Sequence, residues 1–177
     1  LQARLAWSLG MGQQRPDGFS FPAAAPGLYA PQVYNQAGNF YIDSIRIGTR
    51  EFLGRELEIV RPGEPVELTL KYGGAFLRGI VHGEGKPVER SQVLLMPLDA
   101  ERRSEPLLRV ASANLFGQYG FSGVRPGEYL AFAWIPPAGI DWRDPGFLDA
   151  IASLGVPVTI PENGNIDLPL ILAGSIY

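Results

Sequence analysis

The stretch Asn114-Leu115-Phe116-Gly117-Gln118-Tyr119-Gly120-Phe121-Ser122-Gly123-Val124-Arg125-Pro126-Gly127-Glu128-Tyr129 decides the fold of this chain. A polar residue three positions before Gly117 marks a turn. Tyr119 and Phe121 then alternate with small or polar neighbours, the period-two pattern of a half-buried strand. Pro126-Gly127 reverses the chain, because proline presets one backbone angle and glycine accepts the unusual one. The Tyr129 ring, first large side chain after the reversal, is placed to cover the edge of a core. Strand, tight reversal and aromatic lid are the grammar of an antiparallel β protein.

The same grammar occurs earlier in the chain. Phe19, Phe21, Pro26, Gly27 and Tyr29 recur as Tyr119, Phe121, Pro126, Gly127 and Tyr129, and Val66, Leu68, Leu70 and Gly74 recur as Ile166, Leu168, Leu170 and Gly174. Two copies of one unit are therefore expected, residues 1–74 and 75–174. The second opens near Ala75 with strands that have no counterpart before Leu1, so the first reads as incomplete, and 175–177 read as the start of a further strand. Each unit in such an array buries its apolar face within itself or against a neighbour.

Between the matched positions, alternation predicts strands over Arg4 to Met11, Phe19 to Phe21, Gly27 to Ala30, Tyr41 to Gly48, Glu56 to Val60 and Val66 to Tyr72, the last two joined as a hairpin at Pro62-Gly63. In 41–48 the pattern is mixed, with Tyr41, Asp43 and Ile45 opposed to Ile42, Ser44, Arg46 and Ile47. The second unit adds Ala75 to His82, Gln92 to Pro97, Leu107 to Ser112, Gln118 to Phe121, Glu128 to Trp134, Val156 to Ile160 and Ile166 to Leu172. About seven strands fill a small two-sheet sandwich. Val93 and Leu95 are expected to face its core, with Leu94 and Met96 outward. One helix is expected around 145–154: Asp144 caps it, Pro145 opens it, Phe147, Leu148, Ile151 and Leu154 follow at helical spacing, and Gly155 stops it.

Composition agrees with an all-β chain. The 22 glycines and 16 prolines of 177 residues exceed the usual share of ~12%, as short strands joined by many turns require. A net charge of -3, with 15 scattered basic residues, gives no field for a phosphate backbone, so nucleic acid is excluded as an expected partner. The lack of cysteine removes disulfides, thiolate metal sites and cysteine nucleophiles. No run reaches the ~18 apolar residues of a membrane-spanning helix.

With Gly85-Lys86-Pro87-Val88 and Val93-Leu94-Leu95 placed ahead of the opening stretch, the second unit resembles the carboxypeptidase regulatory-like repeat, within the transthyretin-like and Cna-B-like set of sandwich modules. In the first unit Asp17-Gly18-Phe19-Ser20-Phe21, Ala25-Pro26-Gly27-Leu28-Tyr29 and Tyr41-Ile42-Asp43-Ser44-Ile45-Arg46 carry the likeness. The resemblance implies tandem prealbumin-like or Ig-like sandwiches, an extracytoplasmic location, and no particular activity. It also raises the internal Lys–Asn cross-link of some Cna-B-like modules. Lys71 lies in a predicted strand and Lys86 in a turn, but apolar residues and Arg78 hold the matching first-strand position, so no cross-link is expected.

The chemistry-bearing residues point the same way. His82 is the only histidine and has no partner in sequence for a metal or proton relay. Intradiol dioxygenases and hydroxyisourate hydrolases share related sandwich folds, but the former use two histidines with two tyrosines and the latter several histidines, and one histidine supplies neither set. Asp141, Asp144 and Asp149, and Asp43, Glu51, Glu56 and Glu58, lack the cadence of a calcium loop and read as a cap and solvated faces. No catalytic residue, metal or cofactor is expected. Loop aromatics are the candidate ligand surface: Trp134 and Trp142 in one unit, Tyr34, Phe40 and Tyr41 in the other, able to stack on glycan, anchor a protein, or roof the sandwich ends. Pro26, Gly27, Tyr29, Pro126, Gly127 and Tyr129 are expected to be scaffold. The expected function is a non-catalytic structural or adhesion module of a larger surface or secreted assembly, contacting neighbouring domains or subunits by strands, with completion by strand exchange into a fibre as one version and glycan or protein binding as the alternative.

Overall fold

The computed structural model describes residues 2–5, 13–15, 18–20, 25–29, 31–34, 39–61, 63–137 and 141–173. Its earlier strands are β1 (Gln2–Leu5), β2 (Gln13–Arg15), β3 (Gly18–Ser20), β4 (Gly27–Tyr29), β5 (Pro31–Tyr34), β6 (Tyr41–Ile47), β7 (Arg50–Glu51), β8 (Leu57–Ile59) and β9 (Glu67–Lys71). β1 pairs with β5, β2 with β3 and β4 with β8, all antiparallel, while β6 lies between β7 and β9. Of the strand expected over 4–11, only the part in β1 lies within the described residues.

The mixed pattern of β6 has a physical cause. Its register against β9 shifts between Ile42 and Ser44, so Asp43 is an extra residue in a β-bulge. The bulge changes the parity of the strand, and Ile42, Ile45 and Ile47 all face the core in place of the expected Tyr41, Asp43, Ile45 alternation. Tyr29, Leu53, Leu57 and Ile59 complete this core together with Leu107 from far along the chain. Glu51 locks the β6–β7 turn: one carboxylate oxygen accepts from the backbone of Ile45 and Leu53, each at 3.0 Å, and the other holds Arg46. Burial opposes the charge of Glu51, and these hydrogen bonds outweigh it, holding the carboxyl below its usual range.

The later part is a two-sheet sandwich. In one sheet β10 (Ala75–Gly83) pairs with β11 (Lys86–Pro87) and β14 (Gln118–Val124), and in parallel with β17 (Asn165–Asp167) and β18 (Leu170–Ile171). The other runs β13 (Arg109–Ser112), β12 (Gln92–Pro97), β15 (Gly127–Trp134), β16 (Val156–Ile160). Leu77, Val81, Tyr119, Phe121 and Leu170 from the first sheet meet Val93, Leu95, Tyr129, Ala131 and Ile160 from the second. The strand expected over 166–172 is split into β17 and β18 around Pro169, and that over 107–112 begins at Arg109.

The hairpin expected at Pro62-Gly63 does not form. β8 pairs with β4 and β9 with β6, just as β16 pairs with β15 and β17 with β10, so each connection crosses between sheets. Local turn chemistry is the same for a hairpin and a crossover; the partner strands decide. The helix α1 (Pro145–Ala152) is capped by Asp144, whose side chain accepts from Phe147 N–H at 2.9 Å. It ends before Leu154, which is exposed rather than on the packed face. Val93 and Leu95 do face the sandwich core, but Leu94 and Met96 are fully buried as well, because α1 lays Leu148 and Ile151 over the outer face of β12 and β15. A third layer was needed to hide what alternation alone turns outward.

Candidate functional site

Where the earlier and later cores meet, short contacts leave little freedom. Gly74 donates its N–H to Asn39 carbonyl at 2.6 Å, and Asn163 donates to Gly73 carbonyl at 2.7 Å. A Cβ on Gly74 would lie 2.8 Å from Gly123 Cα, and Gly123 itself adopts a positive φ of 62° against the Phe40 carbonyl. Both positions need glycine. Gly54 similarly abuts Arg102 and Leu107, and Arg55 reaches Glu101 at 3.2 Å.

Beside this junction lies a cleft of about 530 Å³, within the usual range for small-molecule sites. Phe40, Tyr41, Ile42 and Leu70 line one side, and the 105–110, 122–125 and 142–143 segments the other. The β6 bulge carries Asp43, which meets Lys71 at 2.8 Å and the cleft residue Arg125 at 3.4 Å. The hydrogen bond from Lys71, then the charges of Lys71 and Arg125, hold the Asp43 carboxyl below its usual range against the effect of burial; Asp43 in turn raises Lys71. Amide formation needs a neutral amine, so this is an ion pair stabilised in its charged form. Arg143 donates to Glu105 at 2.8 and 3.2 Å and lies 3.9 Å over the Trp142 ring. Arg109 donates to the Ser122 carbonyl at 3.0 Å and sits 5.6 Å over the Phe121 ring. The Tyr129 phenol donates to Arg125 carbonyl at 3.0 Å; burial pushes its pKa up, with Arg125, Arg109 and Arg102 pulling the other way. A second hollow of about 400 Å³ shares Leu107, Arg125 and Tyr129.

Of the candidate aromatics, Phe40, Tyr41 and Trp142 line the cleft together. Phe40 packs edge-on against Tyr72 at 4.4 Å, and the guanidinium of Arg143 covers one face of Trp142. Trp134 is not on a surface. It is 2% exposed beneath α1, 4.9 Å from Phe147, because its position on β15 belongs to the face the helix covers. Tyr34 ends β5, opposite Gln2, and its side chain lies outside what is described. The scaffold motif recurs in atomic detail: Tyr29 donates to Ala25 carbonyl at 2.6 Å as Tyr129 does to Arg125. Three cleft arginines, Arg109, Arg125 and Arg143, escaped the sequence reading, since no short-range spacing joins them.

The other chemistry-bearing residues singled out in sequence do not line this cleft. His82 is half-buried in β10 opposite Pro87, and among the described residues no cluster of three or more His, Asp or Glu could hold a metal. Asp144 caps α1, Asp141 accepts from Arg143 N–H, and Asp149 meets Arg103 at 3.1 Å. No described helix is long and apolar enough to cross a membrane.

The structure is thus mostly β, its strand pairs antiparallel except for β17 and β18 along β10, with a two-sheet sandwich in its later part. No protein family matches the chain by sequence, and no curated protein does. Among solved structures it is similar to a candidate carbohydrate-binding protein from Pseudomonas aeruginosa, at 14% identity and TM-score 0.36 over 56% of this chain and 88% of that one. It is also similar to the minor pilin GBS52 of Streptococcus agalactiae, at 13% identity and TM-score 0.37 over 92% of this chain and 66% of that one. The major pilin subunit of Bacillus cereus matches at 8% identity and TM-score 0.36, over 87% of this chain and 40% of that one. The chain spans less than two thirds of each pilin, and superpositions this loose carry nothing about activity.

Proposed function

We propose that this chain is a non-catalytic, extracytoplasmic β-sandwich module acting as a rigid spacer or scaffold in a larger surface or secreted assembly, with units at 1–74 and 75–174. One observation carries the reading: the earlier core closes on Leu107 of the later part, and the junction is held by Gly74, Gly123, Asn163 and the Asp43–Arg125 pair. Domains meant to move are usually joined by exposed linkers with few crossing contacts. With no native cysteine, spin labels placed at Arg61→Cys and Glu89→Cys report the distance between the two parts. A single narrow distance is the expected result, and a broad distribution sinks the spacer reading. In a finer version, the edge of β9 away from β6, without a strand among the described residues, accepts a strand of a neighbouring subunit. Sedimentation that stays monomeric at every concentration counts against it.

A second reading has its own observation. Phe40, Tyr41 and Trp142, singled out as a ligand surface by sequence, line one cleft. On this reading the cleft binds glycan or a protein segment. Amide shifts in 40–42 and 105–110 on adding oligosaccharide or partner are its signature.

A further inference from the structure

We propose that the cleft between Arg109 and Arg125 binds a carboxylate carried on a small, partly apolar molecule; this rests on the second reading, that the cleft is a ligand site.

Charge balance is the first support. Three arginines line the cleft, and two of them hold carboxylates: Arg125 holds Asp43 and Arg143 holds Glu105. Arg109 does not. Its partners are the Ser122 carbonyl and the Phe121 ring, and no described carboxylate pairs with it. Arg109 is half-buried, and drawing a charge even partly out of water is costly unless it is paired. Burial of Arg109 accordingly lowers its pKa, with the nearby Tyr129 phenol pulling weakly the other way.

A second unmet donor lies along the same cleft. Arg125 Nε is buried without a partner among the described residues. Arg109, Arg125 and the Tyr129 ring all line this one cleft. A guanidinium presents a planar fork of N–H donors that matches the two oxygens of a carboxylate. One uncompensated positive charge suits a monoanion better than a doubly charged phosphate. The walls add Ile42, Leu70, Leu107 and Val110 beside Phe40 and Tyr41, so an apolar or ring-shaped body fits next to the charge.

The carboxylate has two possible sources, a free organic acid or a uronic-acid residue of a saccharide, and the probes separate them: benzoate for the first and glucuronate for the second. Cellobiose serves as a neutral saccharide and sulfate as a bare oxyanion. Binding is followed by amide and arginine Nε–H shifts, and by the melting temperature of wild type and Arg109→Met. Benzoate or glucuronate raises the wild-type melting temperature and shifts the Arg109 and Arg125 resonances, and Arg109→Met weakens that binding at least tenfold. Without ligand, Arg109→Met melts higher than wild type, since it removes a half-buried charge with no described counter-ion; an arginine that merely supports the fold gives the opposite sign. If Arg109→Met does not fold, Arg109→Lys keeps the charge but not the fork and is expected to bind at least fivefold more weakly. Binding unaffected by either substitution, no carboxylate binding at all, or sulfate acting as strongly as the carboxylates overturns the proposal. Cellobiose binding without carboxylate binding leaves the cleft a ligand site and removes the charge inference alone.

Discussion

The parts of the molecule around Tyr29 and Tyr129 share a motif but not a manner of completion. In both, the tyrosine hydroxyl reaches the carbonyl four residues back, and the strand that carries it pairs antiparallel with a strand about thirty residues later. They part company at the closing strand. β17 and β18 pair in parallel with β10, whereas β9, at the matching place in sequence, pairs antiparallel with the bulged β6. Where β6 has its strand, the later part has the 141–144 turn and α1. The later core is closed by its own residues, while the earlier core includes Leu107 from outside. A shared motif fixes local geometry; it does not fix which strand seals the core.

The largest test of that asymmetry uses core cavities. Leu95→Ala and Ile45→Ala each remove a fully buried side chain and are expected to cost ~2–5 kcal/mol. Leu95→Ala should loosen both parts, and Ile45→Ala only the earlier one, with amide exchange fast over 41–59 and still slow over 75–134. Equal loss of protection everywhere in Ile45→Ala erases the distinction. Next in size is Gly123→Ala, which sets a Cβ against the Phe40 carbonyl at a left-handed backbone position and should cost ~1–3 kcal/mol. Its signature is a broadened distance between labels at the two parts.

The shared motif predicts a smaller, matched pair. Tyr29→Phe and Tyr129→Phe each remove one hydrogen bond and should cost ~1 kcal/mol in urea unfolding. A large difference between them means that the two tyrosines are not equivalent. Smallest is the pH effect at the junction. Asp43 has a folded pKa below its reference of 3.8, so its contribution is present above that pH and is lost as pH falls through the folded value. Lys71 is raised above 10.5, so its contribution is present below that pH and lost as pH rises through the folded value. Asp43→Asn should flatten the acid limb of the melting profile, and an unchanged limb removes Asp43 from the junction.

Sequence reading found what depends on neighbours along the chain. Period-two alternation located β10, β12 and β16 nearly to the residue, and Asp144-Pro145 located the start of α1. It failed where a distant element changed the meaning of a local pattern. Leu94 and Met96 alternate outward, yet α1 buries them, and the same helix hides Trp134. One extra residue at Asp43 turned a clean strand into an ambiguous one. Phe40, Tyr41 and Trp142 were singled out in sequence as loop aromatics, although Tyr41 opens β6 and all three are half-buried; the cleft was not legible, because Arg109, Arg125 and Arg143 converge only through β13, the turn before β15, and the loop before α1.

The parallel pairing of β10 with β17 and β18 has a mechanical consequence. The 75–173 part begins on one of these strands and ends just after the other, and the two run side by side in the same direction. Tension drawn along the chain through Ala75 and Ala173 would slide the strands lengthwise past each other. The ladder from Phe76↔Asn165 to His82↔Ile171 then shares the load in shear, rather than opening one bond at a time as a zipper does.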